Sequence, residues 1–341
     1  MLLAPLHDAR EWSRKLSARR ATNAWRIWSS YQRAKRTKEP VIKGLPINIS
    51  IEPTTACNLR CPECPSGLRS FTRPTGNLKQ PLFHRVIDEL GDDLLSLTFY
   101  FQGEPYINPS FLDMVAHASE RGVYTATSTN AHFITEEVAE RTVRSGLSRL
   151  IISLDGTDQA TYEAYRKEGT LNKVIEGAER IVKWKRLLKS RTPHLVFQFL
   201  VVKPNEHQIP AARALAKRIG VDDLWLKTAQ VYDPREDHPL IPTQDKYARY
   251  RRAADGSWQL KNAMHDHCWK MWHSCVITWD GRVVPCCFDK DAHHVLGSVG
   301  QGPFKEIWNG ASYRDFRAAL LQSRSNLEMC RNCSEGSPVW A

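Results

Sequence analysis

No apolar run in this 341-residue chain approaches the roughly 20 residues that a membrane-spanning helix needs. The N-terminal stretch also lacks the pattern of an export signal. Met1 to Leu6 is short, and Asp8, Arg10 and Glu11 interrupt it at once. Nine cysteines without such a signal favour metal binding or catalysis over disulfides, and point to a reducing, cytoplasmic compartment. Composition carries no strong bias: 42% hydrophobic and 25% charged residues are ordinary for a soluble globular protein. The length suits one large domain and a small one.

Acidic residues are the scarcer charge, 37 against 48 basic, which leaves a net charge of +11. Such a balance suggests an acidic partner, whether nucleic acid, an anionic membrane or a phosphorylated substrate. The distribution weakens that reading. Residues 1–40 hold ten basic residues against three acidic, so +7 of the +11 lies there. The rest is mildly basic, and no nucleic-acid partner is expected. Residues 8–36 contain no glycine or proline and read as one or two helices. Trp12 and Leu16 are four apart; Trp25 and Trp28 are three apart, with Tyr31 next on the same side. A basic amphipathic helix of this kind could touch an anionic membrane or an acidic partner. Alternatively its aromatics pack on the main domain while the charges face water. The second reading is preferred, because aromatic stripes at helical spacing are usually buried.

Ile47-Asn48-Ile49-Ser50-Ile51 alternates with period two and reads as a strand. Strand and helix then alternate. Further strands are expected at 95–101, 123–128, 150–154, 195–202 and 224–227. Helices are expected at 81–93, at 110–122 with Ser110 as cap, at 136–145, in segments up to about 189, and at 210–220. Six βα-type units imply a parallel sheet with helices outside. The expected fold class is α/β, a partial (β/α)6 TIM-like barrel with an N-terminal helical segment and a small C-terminal extension. The division reads 1–44 for the helical segment, 45–228 for the barrel, 229–262 for a connector and 263–341 for the extension. In barrels, polar residues at strand C-termini are the site candidates. Here those are Gln102-Gly103-Glu104-Pro105, Thr129-Asn130, Asp155-Gly156 and Lys203-Pro204-Asn205.

Directly after the first strand come Cys57, Cys61 and Cys64, at spacings of four and three. Thiolates select zinc or iron–sulfur clusters, and three protein ligands leave a coordination position open for chemistry. Cys57-Asn58-Leu59-Arg60-Cys61-Pro62-Glu63-Cys64 resembles the cluster loop of the radical S-adenosylmethionine (SAM) enzymes. The resemblance implies that Cys57, Cys61 and Cys64 hold three irons of a 4Fe–4S cluster while SAM chelates the fourth. Where many members carry an aromatic residue before the third cysteine, this chain has Glu63. Gly103-Glu104-Pro105 resembles the family motif whose backbone and carboxylate receive the SAM ammonium. Ser153-Leu154-Asp155-Gly156 resembles the fourth-strand motif whose serine faces SAM. Arg166 stands where related enzymes set a guanidinium on the SAM carboxylate, a pairing that suits its fork. Bland readings stand beside each: a turn for Gly103 to Pro105, a strand cap for Ser153, a solvated helix charge for Arg166. Thr127, Thr129 and Asn130 are candidate ribose donors or simple turn formers. Gln198 is ambiguous in the same way.

The extension holds the other six cysteines: Cys268, Cys275, Cys286, Cys287, Cys330 and Cys333. Asp280-Gly281 between two apolar runs signals a hairpin that returns Cys268 towards Cys286. Two thiolates before and a two-spaced pair after are the pieces of a four-thiolate site, iron–sulfur or zinc. The pattern resembles the SPASM or shorter "twitch" extension of radical SAM enzymes, matched by Cys268, Gly281, Cys286, Cys330 and Cys333. Asp289 and Glu306-Ile307-Trp308-Asn309 also look like it. The chain ends eight residues after Cys333, which argues for one auxiliary cluster. Cys275 is expected to be buried and inert. Cys286 is preferred to Cys287, since neighbours on a strand point to opposite faces.

The resemblance implies reductive cleavage of SAM to methionine and a 5′-deoxyadenosyl radical that takes a hydrogen atom from substrate. A one-electron donor such as flavodoxin or ferredoxin is implied as partner. Oxidation or cross-linking of a peptide is the leading reading. A dehydrogenase acting on a small sugar or amino compound is the alternative. No stretch of about a hundred residues precedes the cluster, so a peptide substrate would need a separate carrier protein. A non-enzymatic, metal-stapled binding module would use the same cysteines but leaves Gly103 to Pro105 and Ser153 unexplained.

Overall fold

The glycine-free, proline-free N-terminal region forms two helices, α1 (Leu6–Lys15) and α2 (Ala18–Thr37). Ser17 separates them: its extended backbone breaks the helix and its side chain accepts from the Arg20 N–H at 3.2 Å. The computed structural model describes residues 6–235, 238–262 and 264–333. Contacts divide them into two compact units. The first takes the residues up to Ala56, Phe71–Ala126 and those from Met264 onward; the second takes Cys57–Ser70 and those from Thr127 to Lys261 and beyond into the connector.

In the first unit α2 is held by polar anchors rather than by its tryptophans. The Arg20 guanidinium donates to four carbonyls, of Lys15, Gly91, Arg121 and Gly122, at 2.6–2.9 Å. Asn23 accepts from the Leu45 N–H and donates to the carbonyls of Leu45 and Asp93. Ile27, Ser30, Tyr31 and Ala34 complete the buried face. The expectation that the aromatics pack inward holds for Tyr31, which sits against His267, Trp269 and Trp272, and in part for Trp12, whose ring meets the buried Tyr124 edge-on at 5.9 Å. Trp12, Trp25 and Trp28 stay 40%, 63% and 45% exposed. Helical phase explains it: at 3.6 residues per turn, the nine residues from Trp25 to Ala34 make two and a half turns, so the two side chains point opposite ways. Trp25 and Trp28 stack on each other instead, with ring centroids 5.0 Å apart.

Strands β1 (Asn48–Ile51), β2 (Ser96–Thr98) and β3 (Tyr124–Thr129) run parallel, with Asn48 opposite Ser96 and Ser96 opposite Tyr124. Helix α3 (Pro65–Leu68) belongs to the second unit, while α4 (Gln80–Leu90) and α5 (Phe111–Glu120) connect the strands of the first. Phe83, Val86, Ile87 and Leu90 form the buried face of α4, as the sequence spacing predicts. Phe99 bridges Phe83 and Phe111. Each such ring removed from water contributes about 1.5–3 kcal/mol. Ser110 precedes α5 but makes no side-chain cap bond; its N–H is instead taken by Asn108 at 3.0 Å.

The second unit repeats the pattern: α6 (Glu136–Arg144), β4 (Arg149–Ser153), α7 (Gln159–Tyr165), α8 (Leu171–Leu187), β5 (His194–Val201), α9 (Ile209–Ile219) and β6 (Asp223–Thr228). Strands β4, β5 and β6 are parallel, with Ser153 opposite Gln198 and Val201 opposite Thr228. Gly220 in the left-handed region stops α9. The connector is more ordered than the sequence suggests. Tyr250–Arg252 (β7) and Trp258–Leu260 (β8) form an antiparallel hairpin, whose signal was Asp255-Gly256.

Back in the first unit, α10 (Lys270–His273) leads into β9 (Ser274–Ile277), β10 (Arg282–Val284) and β11 (Gly297–Ser298); α11 (Phe304–Asn309), α12 (Ala311–Gln322) and α13 (Glu328–Arg331) follow. The expected hairpin is β9–β10, with Gly281 at φ +87°. Its place was not expected: β9 pairs in parallel with β1, Ile49 opposite Cys275, so the extension widens the first unit's sheet. A buried ion pair fastens this region. Arg73 grips Glu52 bidentately at 2.6 and 2.9 Å, and Glu52 also accepts the Trp279 N–H. Burial pushes the Glu52 carboxyl up, against the pull of Arg73.

Candidate active site and auxiliary metal centre

All nine cysteines are free thiols. Cys57, Cys61 and Cys64 lie on a loop of the second unit that runs into α3 with Cys64 at its N-cap. Gly67 lies so close to the loop that a Cβ there would meet the Cys61 N and O at 2.5 Å. Only glycine permits that fold-back. The Cys61 thiol is buried, and Arg166 donates to its sulfur from Nη1 at 3.6 Å. The Arg166 Nε donates to Asp155 at 2.5 Å. Asp155 is fully buried, and its other oxygen accepts the Leu200 N–H at 2.7 Å. Burial works against the Arg166 charge, yet Asp155 and Cys61 hold its pKa well above the ordinary guanidinium value. Burial pushes the Cys61 thiol up, with Arg166 opposing. The Asn130 amide reaches the Cys57 sulfur at 3.9 Å and Asn58 at 2.8 Å. Three thiols flanked by a guanidinium and an amide are a donor set suited to an anionic polythiolate cluster, which binds by displacing their protons.

Arg166 is thus a paired, largely buried cation and not a solvated helix charge. Ser153 is buried as the last residue of β4. Glu63, at the position that departs from the family, accepts the Tyr232 N–H at 2.9 Å and lies 3.7 Å from His238 Nε2. It ties the connector to the cysteine loop.

Gly103, Glu104 and Pro105 belong to the first unit. Gly103 has φ +74°, and a Cβ there would lie 2.2 Å from the Thr54 carbonyl. The Glu104 N–H donates to the Ala56 carbonyl at 2.8 Å, and its buried carboxylate accepts the Tyr106 N–H at 3.3 Å. The motif is therefore a close backbone approach that fixes one carboxylate.

In the extension, Cys286, Cys330 and Cys333 are buried and Cys268 is partly so. Cys268 acts electrostatically on both Cys286 and Cys330, which makes it the link between the early and late thiols. Cys286 and Cys287 do not lie on a strand, contrary to the expectation from sequence. Strand β10 stops at Val284, because Pro285 has no N–H to continue the ladder, and both cysteines lie in the turn beyond it. Their environments still differ: Cys287 packs with Val276, Val284, Ala292 and Phe101. The Cys275 thiol is wholly buried on β9, and burial pushes it up to about 12. Asp289 accepts the N–H groups of His293 and His294. Arg324, which sequence reading passed over, is buried and donates from Nη2 to the Cys333 sulfur at 3.1 Å. Its Nε is buried with no hydrogen-bond partner. Four thiols beside an orphaned cationic donor again fit a cluster. Among the described residues no three His, Cys, Asp or Glu side chains converge on a single metal ion.

Comparison with known proteins gives these centres a class. The radical SAM superfamily profile matches residues 51–193, and the SPASM iron–sulfur cluster-binding domain matches residues 268–334. The chain belongs to the radical SAM superfamily and carries a SPASM extension. Its cofactors are SAM and 4Fe–4S clusters, one of them auxiliary. The chain is 25% identical to the tungsten-containing aldehyde ferredoxin oxidoreductase cofactor-modifying protein of Pyrococcus furiosus, over 83% of this chain and 86% of that one. It is 24% identical to the PqqA peptide cyclase of Gluconobacter oxydans, over 86% and 84%. Its fold matches the crystal structure of Streptococcus suis SuiB bound to SAM with TM-score 0.62 at 15% identity, covering 91% of this chain and 76% of that one. SuiB has also been solved with the precursor peptide SuiA. The architecture is accordingly the expected α/β one, a mostly parallel sheet with a C-terminal iron–sulfur extension.

Proposed function

We propose that the protein uses SAM-derived radical chemistry to oxidise or cross-link a peptide side chain. The observation that carries this reading is the buried Cys61–Arg166–Asp155 arrangement beside a three-cysteine loop, in a chain with a second four-thiol set. Bound cluster and SAM together supply a 5′-deoxyadenosyl radical able to take a hydrogen atom from a C–H bond. The chain's own residues bind and orient. Cys57, Cys61 and Cys64 would hold the SAM-binding 4Fe–4S cluster, leaving it open to SAM. Glu104 would receive the SAM ammonium, the role its Gly-Glu-Pro motif implies, with the backbone turning tightly at Gly103. Ser153 would face SAM and Arg166 would serve its carboxylate; Arg166 is held by Asp155 and keeps one N–H towards Cys61. Cys268, Cys286, Cys330 and Cys333 would hold the auxiliary cluster, which would supply an electron acceptor for an oxidative reaction. The peptide relatives, PqqA cyclase and SuiB, support a peptide substrate. A flavodoxin or ferredoxin as donor, a separate peptide carrier and a cytoplasmic location complete the proposal. No helix among the described residues is long and apolar enough to cross a membrane.

Anaerobic reconstitution tests it. About eight irons and eight sulfides per chain are expected, and with dithionite the protein should form 5′-deoxyadenosine from SAM. The combined Cys57→Ala, Cys61→Ala, Cys64→Ala variant should lose half the iron and all SAM cleavage. SAM cleavage that survives in that variant would refute the assignment.

One specific observation favours a peripheral membrane partner as well. The stacked Trp25–Trp28 pair faces outward on a helix with six basic residues and no acidic one. Tryptophan with surrounding cations suits an anionic lipid interface. In vesicle flotation the protein should rise with phosphatidylglycerol but not phosphatidylcholine vesicles, and Trp25→Ser with Trp28→Ser should stay behind. Equal recovery of the parent with both lipids, or none with either, would end this reading.

A further inference from the structure

Arg324 opens the one-turn 3-10 segment Arg324–Asn326, between α12 and α13. Its side chain is buried, and burying a guanidinium is costly unless it is paired and hydrogen-bonded. Carboxylates are the usual partners, but among the described residues none forms an ion pair with it. Asp266, the nearest candidate by contact, accepts the Arg324 backbone N–H at 2.9 Å. The guanidinium is turned to sulfur instead: Nη2 donates to Cys333 at 3.1 Å, and Cys330 is a further hydrogen-bonding neighbour. Cys268 acts on it too, so the cation lies among three of the four auxiliary thiols. Its Nε–H is buried and unmatched. A buried donor left orphaned is costly, and here the site has one proton donor more than its protein acceptors use.

We propose that Arg324 is a positioning and potential-setting residue of the auxiliary centre, donating from Nη2 to the Cys333 thiolate and from Nε to a sulfur of the bound cluster. This rests on the reading of the extension thiols as the ligands of an auxiliary cluster. Hydrogen bonds to cluster sulfurs and nearby charge set cluster potentials. A fixed cation favours the form with one more negative charge, so Arg324 raises the affinity of this centre for an electron. The same fork pre-arranges Cys330 and Cys333 before iron arrives. The cysteine-loop centre has its own guanidinium, Arg166 on Cys61.

The test is a dye-mediated redox titration followed by electron paramagnetic resonance, on reconstituted parent, Arg324→Gln and Arg324→Lys proteins. The parent should show two clusters. In Arg324→Gln the auxiliary potential should move to more negative values, with the SAM-binding cluster unmoved as internal control. Arg324→Lys should fall between, because it keeps the charge and loses the fork. An auxiliary cluster absent from Arg324→Gln but present in Arg324→Lys would also support the proposal, through its positioning half. An unchanged auxiliary potential in a fully loaded Arg324→Gln protein would overturn it. So would loss of that cluster from both variants together with a lowered melting temperature of the metal-free protein, since Arg324 would then serve the fold alone. A parent with no auxiliary cluster would instead remove the underlying reading of the four thiols.

Discussion

Asp155→Ala is expected to destabilise the metal-free protein by about 3–5 kcal/mol, the usual cost of stripping one partner from a buried ion pair. Asp155 is fully buried, and its carboxylate both pairs with Arg166 and accepts the Leu200 N–H from β5. Its carbonyl accepts from the Asn205 side chain, itself buried and bonded to the Leu200 carbonyl. Deleting the carboxylate therefore leaves a guanidinium uncompensated and a strand N–H unmet. The control is the double variant Asp155→Ala with Arg166→Met, which removes the stranded charge at similar volume. It should recover a large part of the loss, because the two residues share one interaction. Urea unfolding of the single and double variants measures both quantities. Additive losses would mean that the pair is not coupled and that Arg166 is held by something else. Iron loading should fall in the single variant as well, since Arg166 would no longer be fixed beside Cys61.

That coupling also marks the limit of what the sequence made legible. The cysteine spacing named the cluster loop, and the strand-end positions of Glu104 and Ser153 could be read from the βα alternation. Asp155 was visible in its motif, but its role was not, because the Arg166 contact arises from how α7 and its end fold back on β4. A residue eleven positions away leaves no periodic signal. Asn130 could be read as a ribose donor or a turn former, but not as a neighbour of the cysteine loop. Its contacts to Cys57 and Asn58 depend on tertiary placement, which propensity does not encode. The N-terminal helices failed in the opposite direction. Spacing set Trp25, Trp28 and Tyr31 on one side, yet Tyr31 is buried while Trp25 and Trp28 turn outward. Polar anchors at Arg20 and Asn23 chose which face turned in. Hydrophobic periodicity assumes that apolar contact decides that choice. The placement of β9 beside β1 was likewise out of reach, since an Asp-Gly turn specifies a hairpin and not the sheet it joins.

Cys330→Ala should separate the two centres more sharply than any other single change in the extension. Iron should drop from about eight to about four per chain, the content of one four-iron cluster. SAM cleavage in the presence of dithionite should persist, because Cys57, Cys61 and Cys64 lie in the other compact unit. Cys275→Ala and Cys287→Ala should keep the full iron content. The physical grounds differ for each. Cys330 is buried beside Arg324 and feels Cys268, so its loss takes one thiol from a set already joined electrostatically. Cys275 is buried on β9, and burial favours its neutral thiol. Cys287 packs among Val276, Val284 and Ala292. Cys286 is the contested neighbour: its thiol touches Cys287 and lies within electrostatic reach of Cys268 and Lys270. Iron analysis and spectroscopy of all six single variants would decide the ligand set. Full iron in Cys286→Ala, with half in Cys287→Ala, would exchange the two and require the turn after Val284 to present the other thiol. In the oxidative reading, loss of this cluster also leaves the substrate-derived electron without an acceptor. Cys330→Ala should then form 5′-deoxyadenosine but no modified substrate, whereas a purely structural extension would lose both activities together.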